Sequence, residues 1–239
     1  MIIFYLLALF ENSLFPDFTI NIARFNPGNF IEPKFLLAFG GMEKFGIDEL
    51  KIYQVQIQNR PWKARLITLG NELYRENLLE LSGGFFVYKT WTAGIGIELL
   101  NNWIKDFTNR YTYSLKFGSS LSIPDLNFDF CINNINQPRF SNVDLLPLSY
   151  VLGLKYDFNQ TFQPYFFALG TTTRGFFLKT GAFFKFCPAL EFSGGLNTEN
   201  FQLEYCLRVH LRKIAFDYVG TNHRQLGLTH AFFINLVNP

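Results

Sequence analysis

Apolar and polar residues alternate along most of this chain. Phe201, Leu203, Tyr205, Leu207 and Val209 alternate with Gln202, Glu204, Cys206, Arg208 and His210. Trp91, Ala93, Ile95, Ile97 and Leu99 alternate with Thr92, Gly94, Gly96 and Glu98. Tyr111–Phe117 and Leu126–Ile132 repeat the pattern. Successive strand side chains point to opposite faces, so each segment has one apolar face and one polar or small one. About fourteen such segments predict strands near 34–41, 48–58, 62–71, 77–88, 90–101, 110–121, 124–133, 147–158, 161–170, 175–186, 189–197, 200–210, 212–220 and 225–237. No segment has a helical period.

Alternation alone suits a sandwich as well as a barrel. Connection lengths separate them. The stretches Asn101–Asn109 and Asn134–Leu146 read as long loops after the fifth and seventh strands, while the connections after the fourth, sixth, tenth and twelfth are very short. In a meander the odd connections share one rim, and membrane barrels carry long loops on one side only. The expectation is an all-β, up-and-down antiparallel transmembrane β-barrel of about 14 strands (12–14) in a cell outer membrane. Trp62, Tyr74, Tyr88, Trp91, Trp103, Tyr111, Tyr156 and Tyr218 lie near strand ends, as interfacial girdles or simply as good strand formers.

Composition sharpens this reading. Half the chain is apolar (49%) and 17% is charged, yet no stretch is long enough for a membrane helix. Residues 1–14 read as an export signal or apolar N-terminal segment, 15–33 as a short segment inside the barrel, and 34–239 as the barrel. A net charge of +2 gives no argument for nucleic acid. Cys131, Cys187 and Cys206 form no disulfide framework and no metal spacing, so neither metal nor cofactor is expected. His210, His223 and His230 have no serine beside them and no nucleophile elbow exists, so no enzyme is expected. His210 reads as a solvated rim residue and His230 as an interfacial aromatic.

The inward faces mix signs, which predicts charges paired across a largely filled lumen. The turn Tyr88-Lys89-Thr90 sets Glu80 opposite Glu98, with Arg65 and Lys116 flanking them in a row Arg65, Glu80, Glu98, Lys116. The row serves as lumen glue or as a ligand or ion site. A turn at Cys187-Pro188-Ala189 sets Lys185 opposite Glu191, Phe186 opposite Leu190 and Gly181 opposite Gly195. Arg208 and Asp217 extend these lumen ion pairs. Leu203, Leu207 and Phe216 should face lipid.

Near the end, Gln225, Gly227, His230 and Phe232 resemble the assembly signal that barrel-assembly machinery reads. Four stretches resemble a family of exported barrels that includes the long-chain fatty-acid transporters and the barrel component of type IX secretion. They are Gly181–Phe186, Pro188–Asn197, Ile214–Val219 and Leu226–His230, and Asn26-Pro27-Gly28-Asn29-Phe30 echoes the family's Asn-Pro-Ala stretch. The resemblance implies about fourteen strands and an N-terminal segment tucked inside, for which only Phe15 to Pro33 could serve here. A position often Arg in that family is Glu191. The function expected is passage of a hydrophobic ligand or an accessory role in protein export. The alternatives are a structural or adhesive surface barrel working through the 134–146 loop, and a soluble lipid-binding β-protein. The expected partners are outer-membrane lipid, the assembly machinery, and a hydrophobic small molecule or secretion partner.

Overall fold

A computed structural model describes residues 26–28, 35–44, 47, 50–141, 145–159, 161–173, 175–199, 201–223 and 227–238. The expectation for residues 1–14, and that for 15–33 apart from Asn26–Gly28, lies outside them. The described residues form a closed barrel of fourteen antiparallel strands. In order these are β1 (Phe35–Glu43), β2 (Lys51–Asn59), β3 (Trp62–Gly70), β4 (Tyr74–Tyr88), β5 (Trp91–Ile104), β6 (Thr108–Ile123), β7 (Leu126–Asn133), β8 (Ser149–Tyr156), β9 (Phe162–Thr171), β10 (Gly175–Cys187), β11 (Leu190–Asn197), β12 (Gln202–Leu211), β13 (Ile214–His223) and β14 (Gly227–Asn238). Each strand pairs with its neighbours in sequence, and β1 closes the wall on β14 from Phe35↔Asn238 to Glu43↔His230.

The two rims differ. Arg60-Pro61, Lys89-Thr90, Pro124-Asp125, Pro188-Ala189 and Arg212-Lys213 are two-residue turns at the rim that holds Phe35 and Asn238. The opposite rim carries the longer connections 44–50 and 134–148. One expected loop is not there. Alternation continues past Asn101, so β5 and β6 run on as a hairpin whose turn is only 105–107. Asn101 does not break the strand, because its side chain bonds to Asn77 and Asn109 on the flanking strands.

The expected three-residue turns are two-residue turns, each with a bulge. Tyr88 pairs with Trp91 and Cys187 with Leu190, so Val87 and Phe186 are the extra residues. Phe186 therefore does not oppose Leu190. Two-residue hairpins suit the twist of the strands, and a bulge absorbs the odd residue without flipping the faces. Beyond the bulges the registers are Glu80↔Glu98, Lys185↔Glu191 and Gly181↔Gly195.

Glycines in the wall make room for rings on the adjacent strand. Trp62, Tyr150 and Tyr205 lie over Gly83, Gly170 and Gly220 outside; Phe167, Tyr165 and Phe233 lie over Gly153, Gly181 and Gly40 inside. Each ring covers the bare backbone directly opposite it, a pairing that strengthens sheets weakened by glycine.

Outward residues of the mid-wall are mostly apolar and exposed, among them Leu203 (58%), Leu207 (39%) and Phe216 (41%), while Gln202, Glu204 and Asp217 are buried inside. Trp62, Tyr88, Trp91 and Tyr156 ring the short-turn rim, and Trp103 and Tyr111 stand at the other. Tyr74 and Tyr218 do not join a girdle. Tyr74 bonds Glu76, and Tyr218 sits mid-strand with its hydroxyl 2.7 Å from His230 Nδ1. A cation on the lipid face near the midplane costs about 2–4 kcal/mol. Leu207→Arg is expected to reduce the folded, heat-modifiable fraction in membranes. Gln202→Arg, which faces the polar interior, should leave it unchanged.

Candidate functional site: the lumen

The inward residues of β5 give a ruler along the lumen: Thr92, Gly94, Gly96, Glu98 and Leu100, from the short-turn rim upward. Three closures stack against the β3–β6 side at successive marks.

At Gly94 sits the N-terminal tripeptide Asn26-Pro27-Gly28. Asn26 Nδ2 donates to Ser119 O and Ser120 Oγ at 2.9 Å and to Asp129 Oδ1 at 3.3 Å. Its own Oδ1 accepts from Gly28 N at 2.8 Å. Gly84, Gly94 and Gly118 are consecutive partners across β4, β5 and β6. They form a shelf, since a methyl at Gly94 would run into Pro27 O and one at Gly118 into Asn26 Oδ1. Any other residue at Gly94 or Gly118 would displace the segment.

Above it, at Gly96 and Glu98, lie three cations and two carboxylates, all nearly inaccessible. Arg65 is directly opposite Glu80, and their contact is 2.6 Å. Lys116 Nζ reaches Glu98 at 2.7 Å and Glu80 at 3.0 Å, and Arg65 also lies 3.9 Å from Glu98. Two cations thus bridge the two facing carboxylates and offset the repulsion that their register imposes. Lys116 is not in the straight row expected of it. It opposes Gly96, and Ser114 opposes Glu98. The bare Gly96 lets the Lys116 stem lie across β5 to reach both carboxylates, and a methyl there would sit 2.7 Å from its Cγ. Lys63 joins the cluster at 3.1 Å from Glu80. It was legible, since it shares Arg65's face two residues earlier.

At Leu100 the lumen turns apolar. Met42, Ile52, Ile67, Leu69, Leu78 and Leu100 close the mouth around Leu146, a fully buried residue of the 134–148 connection. Asn134 ties this connection down, accepting from Ser114 Oγ and donating to Pro147 O, both at 2.8 Å.

The facing wall differs. On β7–β10, Cys131, Val151, Tyr165, Phe167, Leu169 and Phe177 form an apolar strip with Phe183 packed at its lower end. Tyr165 lies 5.2 Å from the Phe167 ring and 5.1 Å from Phe183. Two ion pairs are set into the strip: Lys179, directly opposite Phe167, meets Glu204, and Lys155, 6.0 Å from the Phe167 ring, lies 3.8 Å from Asp129. At the short-turn rim, Lys185, Glu191, Arg208 and Asp217 follow one another across β10–β13. Arg208 grips Asp217 with two bonds, at 2.7 and 2.8 Å, and Asn235 supports Asp217 at 3.1 Å. Glu191 is looser, with Lys185, Arg208 and His210 at 3.5–3.9 Å.

No known family's sequence signature matches the chain, and no curated protein matches it. Solved structures do. The Ralstonia pickettii toluene transporter TbuX superposes with a TM-score of 0.62 at 8% identity, covering 93% of this chain and 95% of its own. The CymD monoaromatic hydrocarbon channel gives 0.58 at 8% identity, covering 93% and 92%. The Acinetobacter baumannii outer membrane protein Omp33 gives 0.57 at 8% identity, covering 86% and 98%. At such identity the likeness concerns the fold. It is that of outer-membrane barrels, and with an apolar exterior around a closed wall this chain is an outer-membrane β-barrel protein.

Removing one partner of a buried ion pair leaves an uncompensated charge and costs about 3–5 kcal/mol. Glu98→Gln should therefore leave the barrel assembled but lower its urea midpoint. Adding Lys116→Met should recover part of the loss, with a coupling of about 0.5–3 kcal/mol in a double-mutant cycle. Additive losses would show that the two side chains do not act on one another.

Proposed function

We propose that this protein conducts a small hydrophobic molecule across the outer membrane, in the manner implied by its resemblance to the fatty-acid-transporter type of barrel. One observation carries the reading: the lumen is blocked at three levels on its ionic side, while its opposite wall is an apolar strip built around Tyr165, Phe167, Leu169 and Phe177, with two ion pairs set into it. An open water pore has polar walls throughout. Binding sites for apolar molecules are instead lined with aromatic side chains and a few placed polar groups. The names of the similar structures, a toluene transporter and a monoaromatic hydrocarbon channel, support the same class of cargo.

The ionic cluster then acts as the fixed wall against which the cargo's path is set, and Asn26-Pro27-Gly28 with Leu146 as the two stoppers. An adhesive role for the 134–146 stretch is less favoured, because Leu146 is turned into the mouth and away from solvent. Nothing observed favours an accessory role in export.

Leu146→Gly takes the stopper from the outer mouth, and Gly118→Val pushes Asn26 from its shelf. Each should raise toluene entry into proteoliposomes holding a hydrophobic reporter dye, with the pair exceeding either alone. Barrel content is checked by heat-modifiable mobility. Unchanged toluene entry in the folded pair, or entry no faster than through protein-free liposomes, would sink the proposal.

A further inference from the structure

The outer face of β2–β6 is banded. Ile57, Ala64, Leu81, Ile97 and Leu115 are consecutive cross-strand partners, and they and Gly83 line an apolar groove of about 1050 Å³ open to the lipid side. Leu66, Leu79 and Leu99 form the next band up. Above them the chemistry changes within one step. Thr68 Oγ1 donates to Asn77 Oδ1 (3.0 Å), Asn77 Nδ2 to Asn101 Oδ1 (2.9 Å), Asn101 Nδ2 to Asn109 Oδ1 (2.6 Å), and Asn109 Nδ2 to Tyr111 Oη (3.2 Å). The row above pairs Arg75 with Trp103 and Trp103 with Asn109, and Arg75 is exposed.

This ladder of amides belongs at the polar edge of the bilayer, because such groups inside hydrocarbon are costly. It stands at the rim with the longer connections, the outer side of such barrels. Its donors all run toward β6 and end at the exposed Tyr111 hydroxyl, and Asn101 is fixed further by a second bond from its Nδ2 to Arg110 O (3.2 Å). The β4–β6 tongue carries it above β7, whose pairing with β6 stops at Phe117↔Ile132. Glu72 and Asp106 on the adjoining turns repel an anion there; of the exposed cations nearby, Arg75, Lys105 and Arg110, Arg75 stands in the row directly above the ladder, opposite Trp103.

We propose that this face seats one phosphorylated glycolipid of the outer leaflet. Its acyl chains run down over Leu79 and Leu99 into the upper part of the groove at Leu81 and Ile97, its sugar hydroxyls and amide links meet the Thr68–Asn77–Asn101–Asn109 ladder, its phosphate meets Arg75, and Trp103 packs on a sugar. Polar groups spaced one strand apart, about 4.8 Å, match a ligand with several hydroxyls rather than a lone phosphate headgroup. The guanidinium supplies the charge-assisted bond that phosphate prefers. The seat lies outside the wall and does not depend on passage through the lumen.

Native mass spectrometry of the full chain in detergent, titrated with diphosphoryl lipid A, dephosphorylated lipid A and phosphatidylethanolamine, tests this. Diphosphoryl lipid A should bind about tenfold tighter than either of the others, a ratio read on the unmodified protein. Arg75→Glu should erase the preference for the phosphorylated form. Asn77→Leu with Asn101→Leu should weaken both lipid A forms and leave phosphatidylethanolamine unchanged. Equal binding of the three lipids by the unmodified protein would overturn the seat, as would an Arg75→Glu protein that keeps the preference.

Discussion

Everything in this molecule depends on the closure of β1 onto β14. Inside hydrocarbon an unpaired backbone N–H or C=O costs several kcal/mol, so a wall of strands must either close or leave the membrane. The upper part of β6 shows how strictly this is met. There β7 has already ended, and the next residues of the chain take over its role. Ile135 N donates to Leu115 O, Asn136 Oδ1 accepts from Leu115 N, and Asn136 Nδ2 donates to Tyr113 O. One asparagine side chain imitates a strand residue. The same anchoring fixes where the 134–148 connection starts, and so directs Leu146 into the mouth.

Closure also divides the side chains by parity, with no freedom left over. Each polar residue at an inward position is sealed in a narrow lumen, where a charge must find its partner on a nearby strand. Lys116 shows the solution: it has no direct cross-strand acid, but a glycine beside it lets its stem lean across β5. The same device, a missing side chain opposite a large one, seats the six rings and the Asn26 segment. Glycine weakens a strand taken alone. Here it decides which large groups can lie flat against the wall.

Strand number, facing and most registers were legible because parity is rigid. Once Glu80 and Glu98 were placed on inward faces, a short turn left little choice of pairing. The turns were less legible: a bulge shifts pairing at the end of a hairpin without disturbing the faces, so Val87 and Phe186 left no trace in the alternation. The Asn101 region was misread as a loop because asparagine usually marks turns, whereas here its amide is held by neighbours on both sides. The diagonal place of Lys116 depended on a register set by the β5–β6 turn, whose length that misreading obscured. Leu146 was not legible, since it stands among Val143, Leu145 and Leu148 and nothing in that run marks which leucine folds inward.

The division of the lumen limits where anything can move. The cluster on β3–β6 is held by five ion contacts among five buried side chains, and opening it would strand charges at several kcal/mol each. The Asn26 segment is held more lightly, by one amide whose bond to the Asp129 carboxylate is long at 3.3 Å. Bonds of this kind are worth about 0.5–3 kcal/mol each, depending on whether the partner is charged. Leu146 is held by apolar contact and by Asn134. The wall opposite holds two separate pairs, Lys179–Glu204 and Lys155–Asp129, among its rings, so less charge must be parted there than in the linked cluster. Rearrangement therefore falls to the two stoppers and the aromatic strip, and an apolar molecule small enough to share that strip meets the least resistance along β8–β10.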